Sequence, residues 1–396
     1  MALTAPTAAH TAARQPARRH ASRAVGALLT GLLAAVLASG APPANANTAK
    51  PAAKKPQRER PPAAFRYAGH SAAMAFADQV ATRHGLNTRW VREQIGTAER
   101  LPAVLKLIAP PPSPAAKNWA AYRARFIEPV RVQAGLRFWH THAEALARAQ
   151  ADYGVPAELV VGIIGVETLY GRHTGNFRVL DALATLAFDF PASHPRAAAR
   201  SEYFQGELAQ LLVLSQRAGV PPTQWRGSYA GAMGLPQFMP TSWERFAVGF
   251  DGDGKIDLLN SPTDAIGSVA HYLKAYGWQT GMPTHYPARF DDATLDLDTL
   301  LAPDILPSFS VTSLEAKGVR LDDDARRHSG LLALVQLHNG DPAAGGSAPS
   351  YVIGTDNFYT VTRYNWSSYY ALAVIELGQT VARERATQMS TGKPGD

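Results

Sequence analysis

Between about Phe65 and Tyr276, apolar residues return at intervals of three and four, the period of helices that bury one face. AAMAFADQVATRHG shows the pattern and stops at Gly85. WVREQIGTAERL and the stretch from Trp119 to Phe126 predict short helices. Gln133 to Asp152 predicts one amphipathic helix with Leu136, Trp139, Ala143, Leu146 and Ala149 on its apolar side, broken by Gly154. Pro156 suits the first turn of the next helix and Gly171 its end. Two more helices follow, YFQGELAQLLVLSQRAG closed by Gly219 and TDAIGSVAHYLKAYGW closed by Gly277.

Over residues 282–362 the period changes. ATLDLDTL, SFSVTSL, LLALVQL and FYTVTRY are short runs separated by Pro, Gly, Asn and Asp, which predicts a small antiparallel β unit. WSSYYALAVIELGQTVARERA returns to helix. The expected fold class is therefore mainly α (α+β): an α-rich body over 63–281, a small inserted β domain over 282–362, a C-terminal helix over 363–388 completing the core, and a flexible tail over 389–396.

Composition adds to this picture only once the charge is located. The 396 residues carry a formal +7, which by itself suggests an anionic partner. Four of those charges are Arg14, Arg18, Arg19 and Arg23, in a segment (1–46) that has no acid. A net four lie in NTAKPAAKKPQRERPP (47–62), a basic Pro-rich linker, and residues 63–396 sum to −1. Nucleic acid is not expected as a partner. The first 46 residues combine the basic stretch with an apolar run, Ala24 to Ala41, and a small-residue site, Ala44-Asn45-Ala46. That is the build of a cleaved export signal, the alternative being a retained anchor. Cysteine is absent, which excludes disulfides, thiolate metal sites and a lipid-modified cysteine. The mature chain is expected to be exported, periplasmic, soluble and monomeric, with no stable membrane anchor once the signal is cut.

Four blocks can carry chemistry. In VVGIIGVETLYG, Glu167 closes an otherwise apolar helix. Apolar surroundings and the negative end of the helix dipole both favour its protonated form, the state a general acid needs. Gly162 and Gly165 cost helix stability, so something must approach that side closely. In GSYAGAMGLPQFMP, Gly and Pro make an ordered loop. There Ser228 and Gln237 can hydrogen-bond an N-acetyl group, and Phe238 and Met239 offer an apolar wall for a sugar face. DGDGKID resembles a calcium loop: with Gly254 sixth, Asp251, Asp253, Lys255 and Asp257 fall on ligand positions and Asp264 could add a late carboxylate. However, Gly249 and Asn260 stand where that pattern wants Asp and Glu. The fourth block is Arg363-Tyr364-Asn365-Trp366 with Tyr369 and Tyr370, suited to sugar stacking.

Taken in order, GIIGVETLYGR, LDALATLAFDFP, EYFQGEL, GSYAGAMGLPQFMPTS, DGDGKIDL, DAIGSVAHYLKAYGW and FYTVTRYNWSSYYALAV resemble the lytic murein transglycosylase B family over roughly residues 65–383. The resemblance implies a lysozyme-like helical core with an N-terminal α region. It also implies cleavage of the β-1,4 bond between N-acetylmuramic acid and N-acetylglucosamine in peptidoglycan glycan strands, with formation of a 1,6-anhydromuramic end and no cofactor for the chemistry. Glu167 falls on the family's single acid/base. Ser228, Gln237, Phe238, Met239 and Asn365 fall on glycan-contacting positions, and Tyr122, Tyr203, Tyr272, Tyr364 and Tyr370 on aromatic positions lining the cleft. Asp251, Asp253, Lys255 and Asp264 match the loop that would hold a structural calcium ion, with Gly249 at the first carboxylate and one residue inserted before Asp264. A hydrolytic muramidase, which would use two carboxylates roughly 5–10 Å apart, and a non-catalytic peptidoglycan-binding envelope protein are the alternatives.

Overall fold

Gly85, Gly154 and Gly219 each adopt left-handed backbone directly after a helix, with the N–H closing on the last turn, so three helix ends lie where the sequence puts them. The computed structural model describes residues 65–391 except 110–116, 342 and 344. The segments expected to be an export signal (1–46) and a linker (47–62), and the last five residues of the tail, lie outside the described residues. The N-terminal region holds α1 (Ser71–His84), α2 (Thr88–Thr97), α3 (Pro102–Ile108) and α4 (Trp119–Ala124). The body continues with α5 (Pro129–Thr141), α6 (Ala143–Tyr153), α7 (Ala157–Thr168), β1 (Phe177–Arg178), α8 (Val179–Phe188), α9 (Ala197–Ala218), β2 (Arg226–Gly227), α10 (Pro240–Phe246) and α11 (Pro262–Ala275). Next come β3 (His285–Pro287), β4 (Arg289–Phe290), α12 (Leu297–Leu301), α13 (Val311–Glu315), β5 (Val319–Arg320), α14 (Asp323–Arg326), β6 (Ala333–Asn339) and β7 (Ser347–Gly354). The chain then closes with α15 (Asp356–Asn365) and α16 (Ser368–Thr391).

Every residue of α7 except Glu158 is buried, because α16 packs along it and α5, α6 and α11 cover the rest. The glycines explain the close approach. A Cβ on Gly162 would overlap the Val374 carbonyl of α16, and a Cβ on Gly378 would overlap the Glu158 carbonyl of α7. At Gly165 it would meet the Tyr170 hydroxyl and Leu377. What approaches α7 is thus its partner helix.

Four sequence expectations need correction. Gln133 to Asp152 is two helices, α5 and α6, meeting at the non-helical His142. Pro156 stands just before α7, which ends at Thr168 and not at Gly171. ATLDLDTL and SFSVTSL give helical turns, because Asp296 and Ser310 cap them by accepting the N–H of Thr299 and Ser313. FYTVTRY, despite its β-prone residues, lies in α15. Thr355 caps that helix, and Phe358, Val361, Thr362 and Asn365 turn to one buried side at helical spacing. The helical closing segment therefore starts near 356, and α16 runs on to Thr391. LLALVQL does form strand, as β6, in an antiparallel sheet of order β3-β7-β6. This unit has an apolar cluster of its own, around Tyr286, Leu300, Leu314, Leu334 and Ile353.

Candidate active site

The last turn of α7 brings Glu167 to the floor of a cleft. Leu169 and Tyr170 follow in left-handed backbone (φ 50° and 56°), which turns the chain away sharply. Thr168 locks this corner: its hydroxyl meets the Leu235 carbonyl at 3.0 Å and accepts the Gly171 N–H at 3.0 Å. The Arg131 guanidinium of α5, itself buried, donates to the Gly165 carbonyl at 2.7 Å.

Glu167 is 9% exposed. The Tyr370 hydroxyl of α16 donates to its Oε1 at 2.6 Å, leaving the other carboxyl oxygen for a ligand. Burial pushes the carboxyl up to about 8, and the Tyr370 hydrogen bond opposes only part of that shift. Its protonated form is therefore the favoured one.

The 227–239 loop is shaped by its own backbone: the Ser228 N–H bonds the Ala232 carbonyl, and Met233 and Phe238 exchange two N–H···O bonds. The Ser228 hydroxyl accepts the Ala232 N–H and keeps its own proton to donate. Gln237 sits at φ 50°. Its amide NH2 donates to the carbonyls of Thr174 and Gly234, so its carbonyl oxygen is left as an acceptor for a ligand N–H.

Ser228, Gln237, Phe238, Met239 and Asn365 all line the cleft with Glu167, as do Tyr203, Tyr272 and Tyr364. Two of these tyrosines turn their hydroxyls into the scaffold. Tyr272 donates to the Arg363 carbonyl at 2.7 Å and Tyr364 to the Pro236 carbonyl at 2.6 Å, which leaves ring surface for contact. Two candidates stand elsewhere. Tyr370 is fully buried behind Glu167 and orients it; it has no surface for a sugar. Tyr122 lines the neighbouring groove with Trp366 and Tyr369. Sequence reasoning missed Arg131, His173 and Ser242 in the cleft, and the buried Glu207 beside it. Only Glu207 left a trace, an acid within the apolar run GELAQLL.

Two carboxylates downstream of Glu167, Asp181 and Asp189, are engaged elsewhere. Asp181 pairs with Arg178 at 2.6 Å and accepts the Glu99 N–H, while Asp189 binds Tyr67 and Arg100. Both tie the N-terminal helices to α8.

The acidic loop is closed by its own groups. Asp264 is 1% exposed, and its two oxygens accept the N–H groups of Phe250, Asp251 and Asp257. Asp251 accepts from Asp253 and Ser261, and Asp253 from the Lys255 N–H. A Cβ on Gly249 would overlap the Lys255 carbonyl, so the first ligand position has no room for a carboxylate. Among the described residues no three acidic or histidine side chains converge as a metal site. In this geometry the side-chain oxygens of Asp251, Asp253 and Asp264 are engaged by N–H and hydroxyl groups of the loop itself.

Residues 68–379 match the family model described as transglycosylase SLT domain. The membrane-bound lytic murein transglycosylase B of Escherichia coli K12 is 41% identical over 331 residues, 81% of this chain and 85% of that protein. The crystal structure of the soluble lytic transglycosylase SltB1 from Pseudomonas aeruginosa is 40% identical, with a TM-score of 0.71 over 80% of this chain and 99% of that one. The Escherichia coli lytic transglycosylase Slt35 in complex with calcium is 40% identical, with a TM-score of 0.69 over 81% of this chain and 95% of that one.

Proposed function

From the premise that this chain belongs to the transglycosylase SLT-domain family and is a lytic murein transglycosylase, which cleaves the glycosidic bond of murein without water, we propose that Glu167 is its single acid/base. The observation that carries this is the carboxyl of Glu167, buried in the cleft, pushed by that burial toward its protonated form and held by Tyr370. Its proton goes to the glycosidic oxygen as the C1–O bond of the muramic residue breaks. The resulting carboxylate takes the proton of the C6 hydroxyl as that oxygen bonds C1, closing the 1,6-anhydro ring. Both protons are accounted for, and the carboxyl returns to its starting state. Charge at C1 is shared by the substrate's own N-acetyl oxygen. Gln237 and Ser228 present an acceptor and a donor to the N-acetyl groups, and Asn365 adds an amide. Phe238, Met239, Tyr203, Tyr272 and Tyr364 supply the apolar and aromatic wall, with Tyr122 extending it along the next groove.

Mass spectrometry of a murein digest tests the reaction. We expect anhydromuramic ends from the wild type. Reducing ends would make water the nucleophile and the protein a hydrolytic muramidase; intact murein would make it a binding protein.

No cofactor is needed for this class of reaction, and no step runs through a metal. We read the acidic loop as held by Asp264 in place of an ion. Millimolar calcium or a chelator should therefore leave the melting temperature within about 1 °C of its starting value. A rise of several degrees with calcium would overturn that reading. Export to the periplasm rests on the signal-like segment 1–46. Among the described residues no helix is long and apolar enough to cross a membrane.

A further inference from the structure

A second carboxylate lies beside the cleft. Glu207 of α9 is 2% exposed and borders a cavity that shares Tyr203, Ser242 and Tyr272 with the cleft of Glu167. Its Oε2 accepts the Thr241 N–H at 2.9 Å and its Oε1 the Thr241 hydroxyl at 2.6 Å. Tyr203, one turn earlier on α9, directs its hydroxyl to the same group. Burial pushes the Glu207 carboxyl up, and the Thr241 and Tyr203 hydrogen bonds act the other way.

Local structure gives this a reason. Helix α10 begins Pro240-Thr241, preceded by Met239, whose side chain cannot cap. Proline has no N–H, so Thr241 carries the first orphan donor of the helix. Glu207 satisfies it across space. It thereby ties the α10 start, which carries Met239 and Ser242, to the α9 turn that carries Tyr203. With its oxygens engaged in this way, the carboxylate has no approach to a sugar carbon.

We propose that Glu207 is a positioning residue for the reaction at Glu167: it sets the cleft wall formed by Tyr203, Met239 and Ser242. The inference rests on the proposed reading of the cleft as the glycan site.

Kinetics of Glu207→Gln on purified glycan strands test it. Glutamine fills the space but presents an N–H2 where one oxygen accepted. We expect KM to rise about tenfold with kcat within about twofold, the signature of lost binding common to ground and transition states. The alkaline limb of the pH profile should not move and anhydro products should persist. Thr241→Val, which keeps the backbone N–H, should raise KM by a smaller factor. It carries the test if Glu207→Gln does not fold. The double variant should be no worse than Glu207→Gln alone, since both remove one interaction. An unchanged KM in folded variants would overturn the proposal. So would a hundredfold fall in kcat at constant KM, because Glu207 would then take part in the chemistry. Failure of the glycan-site reading itself is separable, because it would show as absent anhydro products in the wild type.

Discussion

Glu167→Gln is expected to lower turnover of murein by about 10³–10⁴-fold while leaving the fold and glycan binding in place. The amide keeps an oxygen for the Tyr370 hydroxyl but has no proton to give and no basicity to take one back. The assay is release of anhydromuropeptides, with binding followed separately on insoluble murein. Unchanged activity in the variant would remove Glu167 from the reaction. The wild-type pH profile should agree. Activity needs the protonated acid, so it should hold through neutrality and fall above about 8, where burial places the carboxyl.

The same burial makes a stability prediction of opposite sign. The carboxyl is raised from 4.5 in the open chain to about 8 in the folded state. Between those values the folded state keeps a proton that the unfolded state releases, so wild-type stability falls as pH rises through that window. Glutamine does not titrate. The variant should therefore be the more stable protein at pH 7, by on the order of 3 kcal/mol, and match the wild type near pH 4.5. Urea unfolding at the two pH values checks this; a difference that does not vary with pH would refute the buried-acid account.

Gly162→Ala should destabilise the protein by about 3 kcal/mol and lower activity with it. Helix propensity alone gives the opposite sign, since alanine stabilises an exposed helix interior by about 1 kcal/mol over glycine. Packing decides, because the new methyl would overlap the Val374 carbonyl and push α16 away from α7. Gly378→Ala should behave alike, since its Cβ would overlap the Glu158 carbonyl from the other side. Helix α16 carries Tyr370, so separating the pair also loosens the partner of Glu167. Chemical denaturation measures the effect. A variant as stable as the wild type would mean that the two helices do not touch as closely as described.

Periodicity located most helices of the body, because one-sided burial leaves a three-and-four rhythm that needs no knowledge of the partner. It failed in FYTVTRY, where Thr, Val and Tyr favour strand but a Thr355 cap and a buried face at helical spacing prevail. It failed also at ATLDLDTL and SFSVTSL, where single capping side chains start short turns that no apolar period announces. Glu167 was legible because it is an acid set at the end of the apolar run LVVGIIGV of its helix. Tyr370 looked like a sugar platform, yet three-dimensional packing turns it inward onto that acid.

The sequence by itself determined that this is a mainly helical chain with one acid set among apolar residues, a Gly-Pro loop carrying Gln237 and Ser228, and a near-neutral body behind a basic N-terminal stretch. Those features are local, written in composition and spacing. Only the tertiary structure decided which tyrosines line the cleft and which brace its acid, that Gly162 faces a helix, that Asp264 is already satisfied by backbone, and that Glu207 caps α10 from another helix. Each depends on groups far apart in the chain, and a hydrogen bond or an overlap between them exists only once folding has brought them together.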